Sequence, residues 1–597
     1  VFTLKYEIMK MHIRKASFFL ILLMILSCQE SFLEINPFGS VSEATLSNEM
    51  GVNKLLIGAY SLLDGAGATG GGIWVGHSYL RGGDDANAGT EFGPSGYSAF
   101  LYTEFDQRIE DNWKFGYAAV GRANDVLRIL PKVEDSTPEK LLQIEAEAKF
   151  LRGVFYLEQL VKFYRNVPWI DETINYSDGN YLVPNTIDIY PEIEADFTFA
   201  AENLTETKSE VGRANKWAAK AYLAKVYMFQ HKYAAAKDLL DDIIANGQTS
   251  NGLKYALLEQ YNHNFITRTK HGAEAVFAVQ MSVNDGTTSG NGNPRDQYNG
   301  TYGGPATCCY GWLQATFDLV DAYQTDAETG LPLLDTYQDS PIPHDNGLSS
   351  AQPFTPYQGT LDPRLDWVVG RRGIPYRDWG VHPGMAWVRN QINAGPYNCL
   401  KNIVEKARVD TDRGTGGASN NPYNLIRFAD VLLWAAECEV EVGSLQKAED
   451  YVNLVRDRAA NPEGFVKKYI NPDDPLAGFT DEPAANYKVG LYDGQFVANG
   501  KTYARKAVYF ERRLELAMEH HRFFDMVRYD GLDFDIKTTF EKLFVREGNE
   551  ITNPSNNWLA GVFVRNKHEY FPIPQGQIDL SVDKDGNSVL AQNPGYN

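Results

Sequence analysis

Apolar positions recur at three- and four-residue spacings over long stretches near both ends of the chain, which is the period of an amphipathic helix. On this basis "GVNKLLIGAYSLLDG" (51–65), "IEDNWKFGYAAVGRANDVLRILP" (109–131) and "EKLLQIEAEAKFLRGVFYLEQLVKFY" (139–164) are predicted as long helices, as is "IDIYPEIEADFTFAAENL" (187–204). Residues 213–247 keep the period on both sides of a break near His231 and Lys232, so they predict a helix hairpin. The related stretch 424–459 predicts a second hairpin, and "KYAAAKDLL" aligns with "SLQKAEDYV" at an offset of 212, with Tyr233 over Leu445 and Ala236 over Ala448.

Small Ala218, Ala221 and Ala224 let two helices approach, and Tyr222 and Tyr227 fill between them, as in a tetratricopeptide unit. Two such hairpins far apart in the chain predict a mostly α-helical repeat scaffold interrupted by insertions. The insertions are loop-rich. Residues 65–104 begin with a glycine-rich run, and residues 284–422 are dense in Gly, Pro, Asn and Tyr. Loops of this length are functional or disordered, and aromatics such as Tyr298, Tyr302, Tyr310 and Trp312 argue against disorder. "GAGATG" (65–70) fits a dinucleotide-binding pattern but follows a helix and opens none, so nucleotide binding is not expected there.

"ERRLELAMEHHRFFDMVRYD" (511–530) crowds acids, arginines and two histidines together. Read as one helix, it places Phe510, Leu514, Leu516, Ala517, Met518, Phe523, Phe524 and Val527 on an arc of roughly 220°. An arc so broad implies packing on more than one side. Glu511, Glu515, Glu519 and Arg522 hold the remaining face, expected to be solvated, while Arg513, His520, His521, Asp525 and Arg528 fall inside the apolar arc. Adjacent histidines diverge by about 100° and cannot chelate one ion together. The expectation is buried, hydrogen-bonded scaffold chemistry rather than a metal or catalytic site.

Composition narrows the function. The net charge of −21 and sequence pI near 5.0 disfavour nucleic acid and anionic membrane surfaces as partners. Lys10, Arg14 and Lys15 precede the apolar run Ala16–Leu26, and "ILSC" ends at Cys28. This is a signal peptide (1–27) with a junction resembling a bacterial lipobox, which would leave Cys28 as a lipidated first residue. With Met9 or Met11 as the start, residues 1–10 lie partly or wholly upstream of it. Removal of 1–27 leaves a charge of −24, since Lys5, Lys10, Arg14 and Lys15 go with Glu7. Cys308, Cys309, Cys399 and Cys438 match no zinc spacing. Cys438 reads as a small core residue, and a bridge from Cys308 or Cys309 to Cys399 is open in an exported protein.

Together these stretches resemble the RagB/SusD family of outer-membrane nutrient-binding lipoproteins. The resemblance rests on the lipobox and on 147–169, "LDPRLDW" (361–367), 426–443, 511–530, "YFPIPQGQIDLS" (570–581) and the closing "LAQNPGY". His520 departs from the pattern, where a small residue such as Gly is expected after the Glu. The resemblance implies four tetratricopeptide-like units supporting a loop-rich second half, an N-terminal SusD-like region over 28–310 and a C-terminal RagB/SusD region over 311–597. It also implies a SusC-like TonB-dependent outer-membrane transporter as partner, with this chain as its lid, and an oligosaccharide or, in some branches, a peptide as ligand. Neither a cofactor, a metal nor covalent chemistry is expected.

Sugars present apolar C–H faces that stack on flat rings and hydroxyls that need Asp, Asn and Arg. The candidate ligand-binding residues are therefore Trp74, Tyr79 and Tyr97 with Arg81, Asp84, Asp85 and Asn87, then Tyr298, Tyr302 and Trp312, and finally Tyr376 and Trp379 with Arg377. One rival is a glycoside hydrolase, which would need a carboxylate pair facing across a cleft. The other is a scaffold that docks on a transporter without holding nutrient.

Overall fold

The computed structural model describes residues 43–64, 83–87, 89, 95–286, 290–293, 299–306, 310–401 and 403–596, with position 12. Cys28, the "GAGATG" run, Trp74, Tyr79, Arg81, Tyr298, Cys308 and Cys309 lie outside them.

The predicted helices form at the predicted places. They are α1 (Glu49–Tyr60), α2 (Gln107–Ile129), α3 (Pro138–Phe155), α4 (Tyr190–Asn203), α5 (Lys216–Phe229) and α6 (Tyr233–Asn246). After a long insertion come α7 (Phe428–Val442), α8 (Leu445–Ala460), α9 (Gln495–Leu516), α10 (Arg522–Tyr529) and α11 (Ile536–Gly548). Side-chain caps fix several starts. Asn48 accepts from Gly51 N, Thr137 from Lys140 N ahead of Pro138, Asn215 from Ala218 N, and Ser444 from Lys447 N. The helix predicted over 139–164 is not uniform. Tyr156–Val161 widens into a π-helical turn, which carries buried Glu158 between Lys162 (2.7 Å) and Lys225 (2.5 Å).

From α1 to α9 each helix packs on the next, so the scaffold is a one-dimensional stack. The hairpins expected at 213–247 and 424–459 are α5/α6 and α7/α8, and the long insertion lies between them. The aligned positions Ala236 and Ala448 are both fully buried, as close helix approach requires. Cys438 is a core residue, its Sγ 3.4 Å from Met228 Sδ.

The insertion is gripped at its root. Strand β2 (Ala275–Val279) pairs antiparallel with β6 (Tyr423–Arg427), Ala275 opposite Arg427 and Val279 opposite Tyr423. Three short strands lie between them, β3 (Gln314–Ala315), β4 (Val369–Gly370) and β5 (Asn398–Cys399). β3 pairs with β1 (Ala86–Asn87) from the N-terminal loop, and β4 with β5. A hairpin of β7 (Lys467–Tyr469) and β8 (Phe479–Pro483) follows α8. The insertion has its own core around Leu319, Tyr323, Leu365 and Val368, which receives Phe510, Leu514, Ala517 and Met518. Ala504, Ala507 and Val508 of α9 belong to the scaffold core. So α9 is packed on two sides, as its broad apolar arc predicts.

Two expectations for 511–530 are corrected. The stretch is not one helix: α9 ends at Leu516, and residues 517–521 turn before α10, with Met518 at φ 62° and His520 at φ 70°. His520 thus sits in the left-handed conformation that favours glycine, which explains why a small residue was expected there. Nor is the acidic face solvated. Glu511 and Glu515 are fully buried, and Glu519 is nearly so. Arg364 bridges Glu511 (2.7 Å) and Glu515 (2.9 Å), Arg456 reaches Glu511 (2.8 Å), and Arg458 pairs with Glu515. Arg427 bridges Glu274 (2.7 Å), Glu515 (2.5 Å) and Glu519 (3.0 Å). These cations come from distant segments, so helical periodicity could not announce them.

Candidate functional site

Three pieces of the insertion converge on one aromatic platform: 299–306, 310–313 and 374–389. Tyr302 is exposed (42%), and its backbone N donates to Trp387 O (2.9 Å). The Arg389 guanidinium lies 5.1 Å from the Tyr302 ring centroid, and its Nη1 donates to Tyr310 O (2.9 Å). Tyr310 and Trp312, both half-buried, meet at 4.8 Å with their planes at 58°. The half-buried Trp387 packs edge-on to Tyr376 (5.9 Å) and to His382 (5.4 Å).

Glycines permit this convergence. A Cβ at Gly304 would lie 2.6 Å from Thr301 Oγ1 and 2.9 Å from Trp387 Cγ. Gly311, at φ 58°, has Tyr302 Cβ 3.0 Å and Arg389 Cβ 3.2 Å from where its own Cβ would be. The "NGTYGGP" and "YGW" runs are thus spacing devices that let backbone and ring come together.

The platform rests on a polar floor. The β1–β3 pairing sets Asn87 opposite Gln314, so the root of the N-terminal loop lies beside Trp312. Gln314 Nε2 donates to Gly395 O (2.7 Å), and Tyr376 OH to Cys399 O (2.8 Å). His382 Nε2 meets Asn398 Oδ1 at 2.7 Å, and burial pulls the imidazole down to about 4, so it is neutral at pH 7.

Of the residues predicted to meet ligand, Tyr302, Trp312 and Trp379 are at this platform. Trp379 Nε1 donates to Val404 O (2.8 Å), and the Arg413 guanidinium lies 5.4 Å from its ring. Six others are interior and are corrected to structural roles. Asp84 is fully buried and grips Arg522 through both oxygens (2.8 and 2.9 Å). Burial alone would raise its pKa, but Arg513 and Arg522 hold it below the usual carboxylate range. Asp85 takes Arg513 Nε (2.9 Å), yet burial keeps it up at about 6. Asn87 is buried and donates to Ala394 O (3.3 Å). The Tyr97 hydroxyl is tied to Asp106, and its ring is in the core beside Tyr102 and Phe571. Tyr376 is fully buried beneath Trp387. Arg377 is buried too, at φ 51°, with its carbonyl taken by Tyr469 OH (2.6 Å). These side chains tie loops to the scaffold, and a water-facing role was read into them because polar and aromatic residues in loops look alike whether exposed or buried.

Sequence reasoning missed Trp387 and Arg389. A signal was present: "HPGMAWVR" puts a tryptophan and an arginine just after a Pro-Gly turn in the same loop-rich segment. Among the described residues no group of three or more His, Cys, Asp or Glu could hold a metal ion, and no helix is long and apolar enough to cross a membrane.

Comparisons with known proteins agree with this architecture. A curated SusD-like protein P25 from Formosa agariphila is 24% identical over 595 residues, covering 96% of this chain and 97% of its own. A solved laminarin binding SusD-like protein shares the fold at TM-score 0.61, 22% identical, covering 92% of this chain and all of its own. So does surface glycan-binding protein A from Bacteroides thetaiotaomicron in complex with laminarihexaose, at TM-score 0.58 and 16% identity, covering 92% of this chain and 99% of its own. Residues 94–228 match a family described as starch-binding associating with outer membrane. The profile of the SusD family matches residues 273–596, more than half of the sequence, and the chain therefore belongs to the SusD family.

Proposed function

We propose that the protein is a cell-surface glycan-binding lipoprotein, anchored to the outer membrane through Cys28, that captures oligosaccharide and delivers it to a SusC-like TonB-dependent transporter. The observation that carries the reading is the exposed Tyr302 ring on a glycine-spaced loop, with Arg389 across it and Tyr310, Trp312 and Trp387 beside it. Such rings offer C–H stacking faces, and Arg389 offers donors to hydroxyls. Trp74, Tyr79, Arg81 and Tyr298 join the proposal by their places in the chain alone, upstream of β1 and of β3. The names of the laminarin-binding relatives support a saccharide ligand. Binding without hydrolysis fits the carboxylates at the root of the N-terminal loop: Asp84 and Asp85 are committed to arginines.

The test is affinity electrophoresis of residues 29–597 against polysaccharide and peptide panels, then calorimetry on Tyr302→Ala, Trp312→Ala and the pair. One stacked ring contributes about 0.5–1.5 kcal/mol, so each single variant should bind several-fold to about tenfold more weakly. The pair should nearly abolish binding. A folded pair that binds like the parent places the ligand elsewhere, retardation by peptides alone reassigns the ligand, and release of reducing ends overturns the binder reading.

A further inference from the structure

A second exposed aromatic pair stands apart from the platform. In the loop after α3, Tyr176 (78% exposed) and Tyr181 (41% exposed) stack on each other with centroids 4.5 Å apart and planes at 27°. Both rings keep exposed surface beside the stack, Tyr176 more than Tyr181.

The loop is built to hold this pair. Asn175 caps a short turn by accepting from Ser177 N (3.1 Å) and Ser177 Oγ (2.9 Å), and Gly179 closes the turn at φ 71°. Asn180 locks the two sides together: its Oδ1 accepts from Asn175 N (2.7 Å) and its Nδ2 donates to Thr173 O (2.9 Å). The base is pinned to α3. Arg152 Nη1 donates to Glu172 Oε2 (2.5 Å), and Ile170 N donates to Tyr156 OH (2.6 Å). At the far end Asn185 Nδ2 donates to Ala591 O (2.9 Å). The Tyr302 platform is anchored instead to Trp387 and Arg389 of the insertion.

We infer that Tyr176 and Tyr181 form a second saccharide contact that engages a distant stretch of a long, uncharged glycan. The exposed residues around the rings are Thr173, Ser177, Asp178, Gly179 and Asn180, which match hydroxyls rather than an aliphatic protein surface. Asp178 beside the pair, on a chain of net charge −21, disfavours an anionic ligand. The loop's own hydrogen bonds order the rings in advance, which lowers the entropy lost on binding. A single weak stack gains from the tether that a polymer already held elsewhere supplies.

This inference rests on the glycan-binding reading, and its test separates the two. Gels containing laminarin, soluble starch, arabinoxylan or galactomannan are run with the parent, Tyr176→Ala/Tyr181→Ala and Tyr176→Phe/Tyr181→Phe. In every gel that retards the parent, the Ala pair should lose retention about three- to tenfold, and the Phe pair, which keeps both rings, should stay within twofold. Calorimetry with a hexasaccharide of the retarding polymer should give the same Kd for all three. Unchanged retention of the Ala pair overturns the inference and leaves the glycan reading standing. An equal loss for the hexasaccharide overturns a separate contact by merging it with the first site. Absence of retardation in every gel overturns both.

Discussion

Replacing Glu519 by Gln tests whether the buried charges at the α9–α10 turn hold the two cores together. Glu519 is only 3% exposed and accepts from Arg427 Nε and Nη2 (both 3.0 Å) and from Lys401 Nζ (2.8 Å). Burial opposes its charge, but Arg427 and Lys401 outweigh burial and bring the carboxyl down to about 2. The drop from 4.5 to about 2, at roughly 1.4 kcal/mol for each tenfold change in proton affinity, makes ionised Glu519 stabilising by about 3 kcal/mol. Removing one partner of a buried pair costs about 3–5 kcal/mol. The lower end applies here, because Lys401, already lowered to about 8 by burial, can discharge once Glu519 is neutral. Urea unfolding followed by near-UV circular dichroism should therefore show Glu519→Gln less stable by about 3 kcal/mol at pH 7. The sign of the pH dependence follows from the lowered carboxyl. Its contribution is complete above the unfolded value near 4.5 and is lost as pH falls toward 2, so the gap between parent and variant narrows over that window. It narrows again as pH rises from neutral to 8, since the parent's Lys401 keeps its proton up to about 8 and the variant's does not. A gap under about 0.5 kcal/mol, or one that does not change with pH, would refute the argument.

The left-handed His520 makes a comparative prediction: His520→Gly should be more stable than His520→Ala by about 1 kcal/mol in thermal melts, because both lose the imidazole and only Ala keeps a Cβ at φ 70°. An Ala variant as stable as the Gly variant would contradict it. Gly304→Ala should weaken glycan binding at least about tenfold by pushing Trp387 off its seat, while global stability changes by about 1–3 kcal/mol. Calorimetry beside a melt decides, and unchanged affinity would show that the loop spacing does not matter. Cys28→Ala should abolish labelling by a clickable fatty acid and release the protein from membrane fractions; persistent labelling would exclude Cys28 as the anchor.

The helical stack was legible because each helix shows its apolar stripe within its own sequence; the caps at Thr137 and Ser444 emerged only with the structure. What escaped was set by partners far away in the chain. The β2–β6 clasp joins segments about 150 residues apart in short runs whose pattern differs little from loop. The turn at 517–521 interrupts an otherwise helical pattern because Lys401 takes the Ala517 carbonyl and Arg427 takes Glu519. At the site, Tyr302 and Trp312 were legible as loop aromatics. Asp84, Asp85 and Tyr376 were misread because only the folded chain shows an arginine or a tryptophan over them.

The closing segment of the chain lies against the first helical pairs. Phe571 N donates to Phe163 O (2.6 Å), and Asn593 Nδ2 donates to Tyr164 O (2.6 Å) across 429 residues. At roughly 5–20 residues per second, a ribosome needs about 20 to 90 s to travel from one partner to the other. During that interval Phe163 and Tyr164, which will receive Phe571, lack that cover. The early helices can coil and pair, but the seal on their core arrives last, so the nascent chain is a long-lived client for any factor that binds exposed apolar surface. A clipped C-terminal tail would reopen the oldest part of the fold rather than fray the newest.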